Sequence, residues 1–244
     1  MFVEPRYILL MGPSGTGKTR FINILAGTKL PEGHNLEPCT RTVECTTVML
    51  DGQPVVLIDT PGLDGDYNTS KITRAISTYL RTLYKENKDL VGIVYMHRIS
   101  DNRINTTTTR CFDSFHQICG EEAMYNVAVV TNMWELVEKS RAEQRVQDLI
   151  RTSYYGKATE HGAQLLHHDN TSESAKHILR NLLNKEPVQL QCQKWQPEVG
   201  PTNPDTRHRP RSESPKHQSK RRGMLRLIPC ISSKDCDSPG DKAS

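Results

Sequence analysis

Residues 12–19 read GPSGTGKT, and no other stretch of this chain restricts its fold as tightly. The apolar run RYILLM, Arg6 to Met11, stops at this segment, and Phe21, Ile22 and Leu25 recur after it at helical spacing. A strand, a glycine-rich loop and an amphipathic helix are therefore expected in that order. Gly12, Gly15 and Gly17 let the backbone wrap closely, so that, with Pro13 shaping the loop, the N–H groups of Ser14, Thr16 and their neighbours up to the helix start converge on an anion. Lys18 then reaches phosphate oxygens, and the Thr19 hydroxyl can meet a bound Mg²⁺. A plain glycine-rich turn with an incidental lysine is the bland alternative; the flanking strand and helix weigh against it.

The rest of the chain keeps alternating. Val43–Leu50 and Gln53–Asp59 are apolar runs separated by Asp51-Gly52, a pair suited to a type I′ turn, so two antiparallel strands are expected. Ile72, Ile76, Tyr79, Leu80 and Leu83 share one helical face, and Leu90–Met96 supplies a buried strand. A helix over Thr106–Cys119, a strand over Asn126–Thr131, a charged helix from about Val137 to Tyr155 and a short strand over Ala163–His167 follow. The last helix buries Ala175, Ile178, Leu179, Leu182 and Leu183, and Asn170 with Glu173 three residues on resembles a capping box. Six strands and five helices predict an α/β, doubly wound, mostly parallel six-stranded sheet with one antiparallel edge strand. Ligand is expected at the carboxyl ends of the strands.

A phosphate-cradling loop of this kind, the P-loop, serves kinases, transport ATPases and nucleotide switches alike, so a second element must decide among them. VVLIDTPG, residues 55–62, is an apolar strand that ends in an aspartate and turns through a glycine. Asp59 is placed to hold a Mg²⁺-bound water, and Gly62 can offer its N–H to a γ-phosphate with no side chain in the way. Together the two motifs resemble the GTP-binding G domains, and particularly the branch containing septins, immune-associated GTPases and chloroplast import GTPases, over residues 6 to about 184.

The resemblance implies further residues. A threonine ahead of the second strand would coordinate Mg²⁺ and touch the γ-phosphate, and Thr40 is preferred over Thr42. The base-recognition motif Asn-Lys-x-Asp is matched by Asn132-Met133-Trp134-Glu135, which departs at two positions. Met133 can still lay an apolar stem over the base, whereas Glu135 is one methylene longer than the aspartate that pairs with guanine. His168-Asp169-Asn170 would supply a backbone contact to the base. Leu63 stands where many switches carry a water-orienting glutamine, which implies slow hydrolysis with help from elsewhere. Asp64, Asp66, His34, His97 and Arg103 are loop candidates for that help, with no single one favoured. The family also implies association of two copies across the nucleotide face. A non-hydrolysing interaction module is one alternative, suggested by Leu63. A nucleoside-phosphate kinase or other P-loop ATPase is another, which leaves DTPG and the hairpin unexplained.

Charge separates the chain into two expected regions, a domain over 1–186 and a tail over 187–244. The tail holds eleven Lys and Arg against six Asp and Glu, a net of +5, while the whole chain carries +4. The basic excess thus lies outside the domain, which argues against a nucleic-acid-binding surface on it. Prolines at 187, 197, 201, 204, 210 and 215 among polar residues predict a disordered segment. Within it, Lys220-Arg221-Arg222 and the following apolar patch ending at Cys230 offer contact with an anionic membrane; a nuclear-import signal and a plain disordered tail are the competing readings. No apolar run approaches the roughly 18 residues of a membrane span, and no signal-peptide pattern precedes the first strand. Seven cysteines without a Cys-x-x-Cys pair read as free thiols, and the chain reads as cytosolic.

Overall fold

The computed structural model describes residues 3–27, 42–64, 69–101 and 105–194. Six strands form one sheet: β1 (Arg6–Met11), β2 (Glu44–Leu50), β3 (Gln53–Asp59), β4 (Leu90–Arg98), β5 (Val127–Asn132) and β6 (Gln164–His167). Their order is β2-β3-β1-β4-β5-β6, and every pairing is parallel except β2 with β3. Asp51 and Gly52 both adopt positive φ, 51° and 81°, and close the hairpin with Leu50 opposite Gln53. The antiparallel edge strand and the parallel remainder match the sequence reading.

Alternate residues along β1 face opposite sides. Tyr7, Leu9 and Met11 join a core with Ile76, Leu80 and Leu83 of α2 (Thr69–Lys85) and Phe112, Phe115 and Ile118 of α3 (Thr106–Cys119). That core is completed by Ala142 and Leu149 of α4 (Lys139–Ile150) and Tyr155 and Ala158 of α5 (Tyr155–Glu160). Ile8 and Leu10 face the other way, against Phe21 and Ile22 of α1 (Lys18–Ala26) and Ala175, Ile178, Leu179 and Leu182 of α6 (Ser172–Leu183). Both faces of the central strands are covered, which is why β1, β4 and β5 are continuous apolar runs.

Three sequence expectations need correction. The helix expected over 137–155 is two. Glu138 caps α4 by accepting from Ser140 N and Arg141 N, at 3.1 and 3.2 Å. The Thr152 hydroxyl then donates to Leu149 O at 2.6 Å and accepts from Tyr155 N at 3.2 Å, so the chain turns before α5 begins. Second, α6 is capped by Thr171, whose Oγ1 accepts from Ser174 N at 3.1 Å, and not by Asn170, which sits at φ 60° outside the helix. Third, the packed chain runs past Glu186. Val188 N donates to Leu90 O at 2.8 Å, Leu190 is fully buried, and α7 (Gln191–Lys194) lies against α2 and α3. Arg81 Nε donates to Cys192 O at 2.8 Å and Gln193 Nε2 to Leu80 O at 2.9 Å. The glutamines that made this stretch look solvated thus include one that hydrogen-bonds helix backbone.

Residues 195–244, with the basic cluster and Cys230, lie outside the described residues. None of Cys45, Cys111, Cys119 and Cys192 is in a disulfide. Among the described residues, no helix is long and apolar enough to cross a membrane.

Candidate functional site

The parallel pairing of β1 with β3 sets Leu10 beside Asp59, so the loops that leave these two strands emerge together. Gly12 leaves β1 at φ 137°, and a Cβ there would collide with the Met96 carbonyl on β4. Only glycine allows so close an approach with that backbone. Lys18 opens α1 with its side chain buried, and its Nζ donates back to Gly12 O at 3.2 Å and Pro13 O at 2.8 Å. Burial lowers the Lys18 pKa, opposed by the carboxylates of Asp59 and Asp64. The Thr16 hydroxyl donates to Pro13 O at 2.9 Å and tightens the same loop. No side chain caps the N-terminus of α1, and no acidic residue lies in its first turn. A wrapped loop with a buried cation and an open helix N-terminus is a site for an anionic oxygen cluster.

Across the loop, Thr19 Oγ1 donates to Asp59 Oδ2 at 2.7 Å. The Thr60 hydroxyl donates to Leu10 O at 2.7 Å and locks the turn after β3 to the strand beside it. Gly62 lies so close to the P-loop that a Cβ would fall on the Ser14 hydroxyl and within 2.6 Å of Ser14 N. Leu63 N donates to Gly12 O at 3.3 Å, and Asp64 Oδ1 accepts from Ser14 N at 2.9 Å and Ser14 Oγ at 2.7 Å. The DTPG turn and the two residues after it are therefore fastened directly onto the phosphate loop. Leu63 itself is fully buried in the core on the α2 and α3 face.

Of the loop candidates for catalytic help, His34, Asp66 and Arg103 lie outside the described residues, as does Thr40; Thr42 is described and exposed. His97 is not a loop residue. It is 4% exposed on β4, its Nδ1 lies 3.2 Å from the Tyr155 hydroxyl, and burial pushes its pKa down to about 4. Of the two that are described, Asp64 is the one whose side chain meets the phosphate loop.

The segment expected to read the base follows β5. Asn132 Nδ2 donates to Thr16 O at 3.1 Å, which joins this segment to the phosphate loop, and its Oδ1 accepts from Met133 N at 2.8 Å. Met133 adopts φ 64°. Trp134, which the sequence reading left without a role, anchors the turn. Its Nε1 donates to Thr131 O and Oγ1, at 3.2 and 3.1 Å, and its ring lies 4.1 Å from that of His167, centroid to centroid. A tryptophan directly after the Asn-Met pair was the available signal. Glu135 is exposed, and Asn170 Nδ2 donates to its Oε1 at 3.1 Å. Behind this pair His168 is fully buried, its N donates to Thr131 O at 2.9 Å, and its Nδ1 lies 2.7 Å from Ser174 Oγ. Burial pushes the His168 pKa down to about 4, and hydroxyl donors from Ser174 and Thr171 draw Asp169 down to about 2.

The sheet, the loop and the DTPG turn define a P-loop GTPase domain, which binds GTP. The chain belongs to the family described as 50S ribosome-binding GTPase, which matches residues 7–132 of its 244 residues. GTPase Der of Chloroflexus aurantiacus is 29% identical over 152 residues, 60% of this chain and 31% of the relative, so the chain spans about a third of that protein's length. The fold is similar to Toc33 of Arabidopsis thaliana in complex with Mg²⁺ and GMPPNP, with a TM-score of 0.59, 15% identity and coverage of 76% of this chain and 87% of that one. It is also similar to an Aquifex aeolicus Era variant bound to GDP and AlF₄⁻, with a TM-score of 0.55, 18% identity and coverage of 78% and 60%. Toc33 lies within the branch that the sequence resembles, whereas Der and Era widen the likeness to GTPase domains more broadly.

Proposed function

We propose that this domain is a Mg²⁺-dependent, slowly hydrolysing GTP switch of the kind found in the septin, immune-associated and chloroplast import branch. The observation that carries the reading is the Thr19–Asp59 pair, a hydroxyl and a carboxylate oxygen 2.7 Å apart at the mouth of the phosphate loop. Hard oxygen donors so placed fit Mg²⁺, which keeps most of its waters and takes few protein ligands. Thr19 and Thr40 would hold the ion directly and Asp59 through water; bound there, it neutralises charge on the phosphates. The backbone of residues 12–19 receives the phosphates, Lys18 reaches the β and γ oxygens, and the Gly62 N–H reports the γ-phosphate. Asn132 and Glu135 face the guanine. Leu63, packed in the core, cannot orient water, which supports slow turnover by a single copy.

Dimerisation is important for the GTPase activity of the chloroplast translocon components Toc33 and Toc159. That relation supports GTP-dependent pairing across the nucleotide face here; a cytosolic setting and a tail contact with anionic membrane rest on the sequence alone. Titration with fluorescent GDP and GTP analogues plus Mg²⁺, competed by ATP, tests the central reading. GTP is expected to outcompete ATP by more than about a hundredfold. Lys18→Ala is expected to weaken binding roughly 10- to 100-fold, the worth of hydrogen bonds from a charged donor. Equal competition by ATP would return the chain to the general P-loop ATPases. The buried Leu63 also favours a second reading, a non-hydrolysing interaction module; single-turnover hydrolysis decides between them.

A further inference from the structure

We infer that Asn170 is the residue that positions Glu135 for reading the guanine base, an inference that rests on the guanine reading above. Glu135 departs from an aspartate by one methylene, and a longer, exposed side chain has more rotamers to lose when it is fixed against a base. Something must hold it, and Asn170 Nδ2 does so by donating to Oε1 at 3.1 Å. A carboxylate has about four lone-pair sites, so one donor from Asn170 leaves capacity for the N1 and N2 donors of guanine.

Three observations separate this role from an ordinary helix-start asparagine. The cap of α6 is already supplied by Thr171, through Ser174 N at 3.1 Å. Asn170 Oδ1, the atom that a cap or an Asx-turn would use, is buried without a hydrogen-bond partner among the described residues. Asn170 also holds φ 60°, a left-handed conformation that sets it outside the helix, on the side of the strand end where Glu135 lies. Its neighbours are fixed from behind. His168 N is bonded to Thr131 O, one residue before Asn132, and Asp169 Oδ1 accepts from Thr171 N at 3.1 Å. The loops after β5 and β6 are thereby bound together at backbone level, and Asn170 carries that connection out to the carboxylate. Asn132 ties the same unit to the phosphate loop through Thr16 O. The base reader is therefore a two-residue device, with Glu135 touching the ligand and Asn170 setting the carboxylate.

Asn170→Gly is the informative variant, because glycine accepts the positive φ and removes the carboxamide side chain. Affinities for GTP and for inosine triphosphate, which lacks the 2-amino group, are measured on the full chain with Mg²⁺, together with the melting temperature. The GTP-to-ITP affinity ratio is expected to fall about fivefold to tenfold, most of the worth of the charge-assisted hydrogen bond from N2, while ITP, which keeps N1–H, weakens by less than GTP. In a Glu135→Ala background the same substitution is expected to change nothing further, since the two act as one unit. A wild-type protein that discriminates GTP from ITP, with Asn170→Gly preserving the ratio, overturns the role of Asn170 and leaves the guanine reading standing. A wild-type ratio near one means that Glu135 does not pair with the 2-amino group, which overturns the positioning role, while the competition between GTP and ATP decides the guanine reading separately.

Discussion

Asp64 places a negative charge on the amide and hydroxyl of Ser14, within the loop that is to receive a polyphosphate. Two charges several ångströms apart near a protein surface repel by about 1 kcal/mol or more. Asp64→Asn keeps the shape and removes the charge, so GTP affinity is expected to rise roughly fivefold and GDP affinity by less. Titration of both nucleotides checks it, and an equal gain for both would place Asp64 away from the third phosphate. Two histidines give a second prediction at this scale. His97 and His168 are held neutral by burial, each with its pKa near 4 against about 6.5 when unfolded. Below pH 6.5 the unfolded chain takes up protons that the folded chain refuses, so stability present above pH 6.5 is lost as pH falls towards 4. The loss approaches about 1.4 kcal/mol per unit per histidine, and denaturant midpoints measured from pH 7 to 4 follow it.

Elements whose role is carried by backbone were legible in the sequence, and those that depend on a chosen side-chain partner were not. GPSGTGKT and DTPG announce themselves because glycine is needed where chain passes close to chain, as at Gly12 against Met96 and Gly62 against Ser14. The Asp51-Gly52 hairpin is legible for the same reason. By contrast, Asn170 and Thr171 are both good caps, and only the fold shows that Asn170 is engaged with Glu135. The division of the helix expected over 137–155 turns on whether the Thr152 hydroxyl bonds Leu149 O or water, which no periodicity reports. The segment after Glu186 misled through its proline and glutamines, yet Leu190 is fully buried and Cys192 nearly so. Leu190→Ala is expected to cost about 2–4 kcal/mol, the usual loss for a buried leucine, with nucleotide affinity little changed. A thermal melt shows it, and an unaltered melting temperature would mean that this end contributes nothing to the fold.

For the molecule as a whole, the strand order brings the carboxyl ends of β1, β3 and β5 to one edge, so pieces 120 residues apart in sequence can serve one ligand. That arrangement was legible from the alternation of elements alone, because parallel strands joined by helices send their exits to the same side. The side-chain links that make the edge a single object were not. Asn132 is the main one, reaching from the end of β5 to the Thr16 carbonyl in the phosphate loop. Its amide acts as a brace that fixes the span between the two halves of the site. If Glu135 reads the base as proposed, a ligand of matching length gains as a chelate does: once its phosphates are seated, its base is at high local concentration beside that carboxylate. Guanosine alone and pyrophosphate alone each forgo that advantage, so the intact nucleotide binds more tightly than either fragment suggests. Such a site would measure length as well as chemistry.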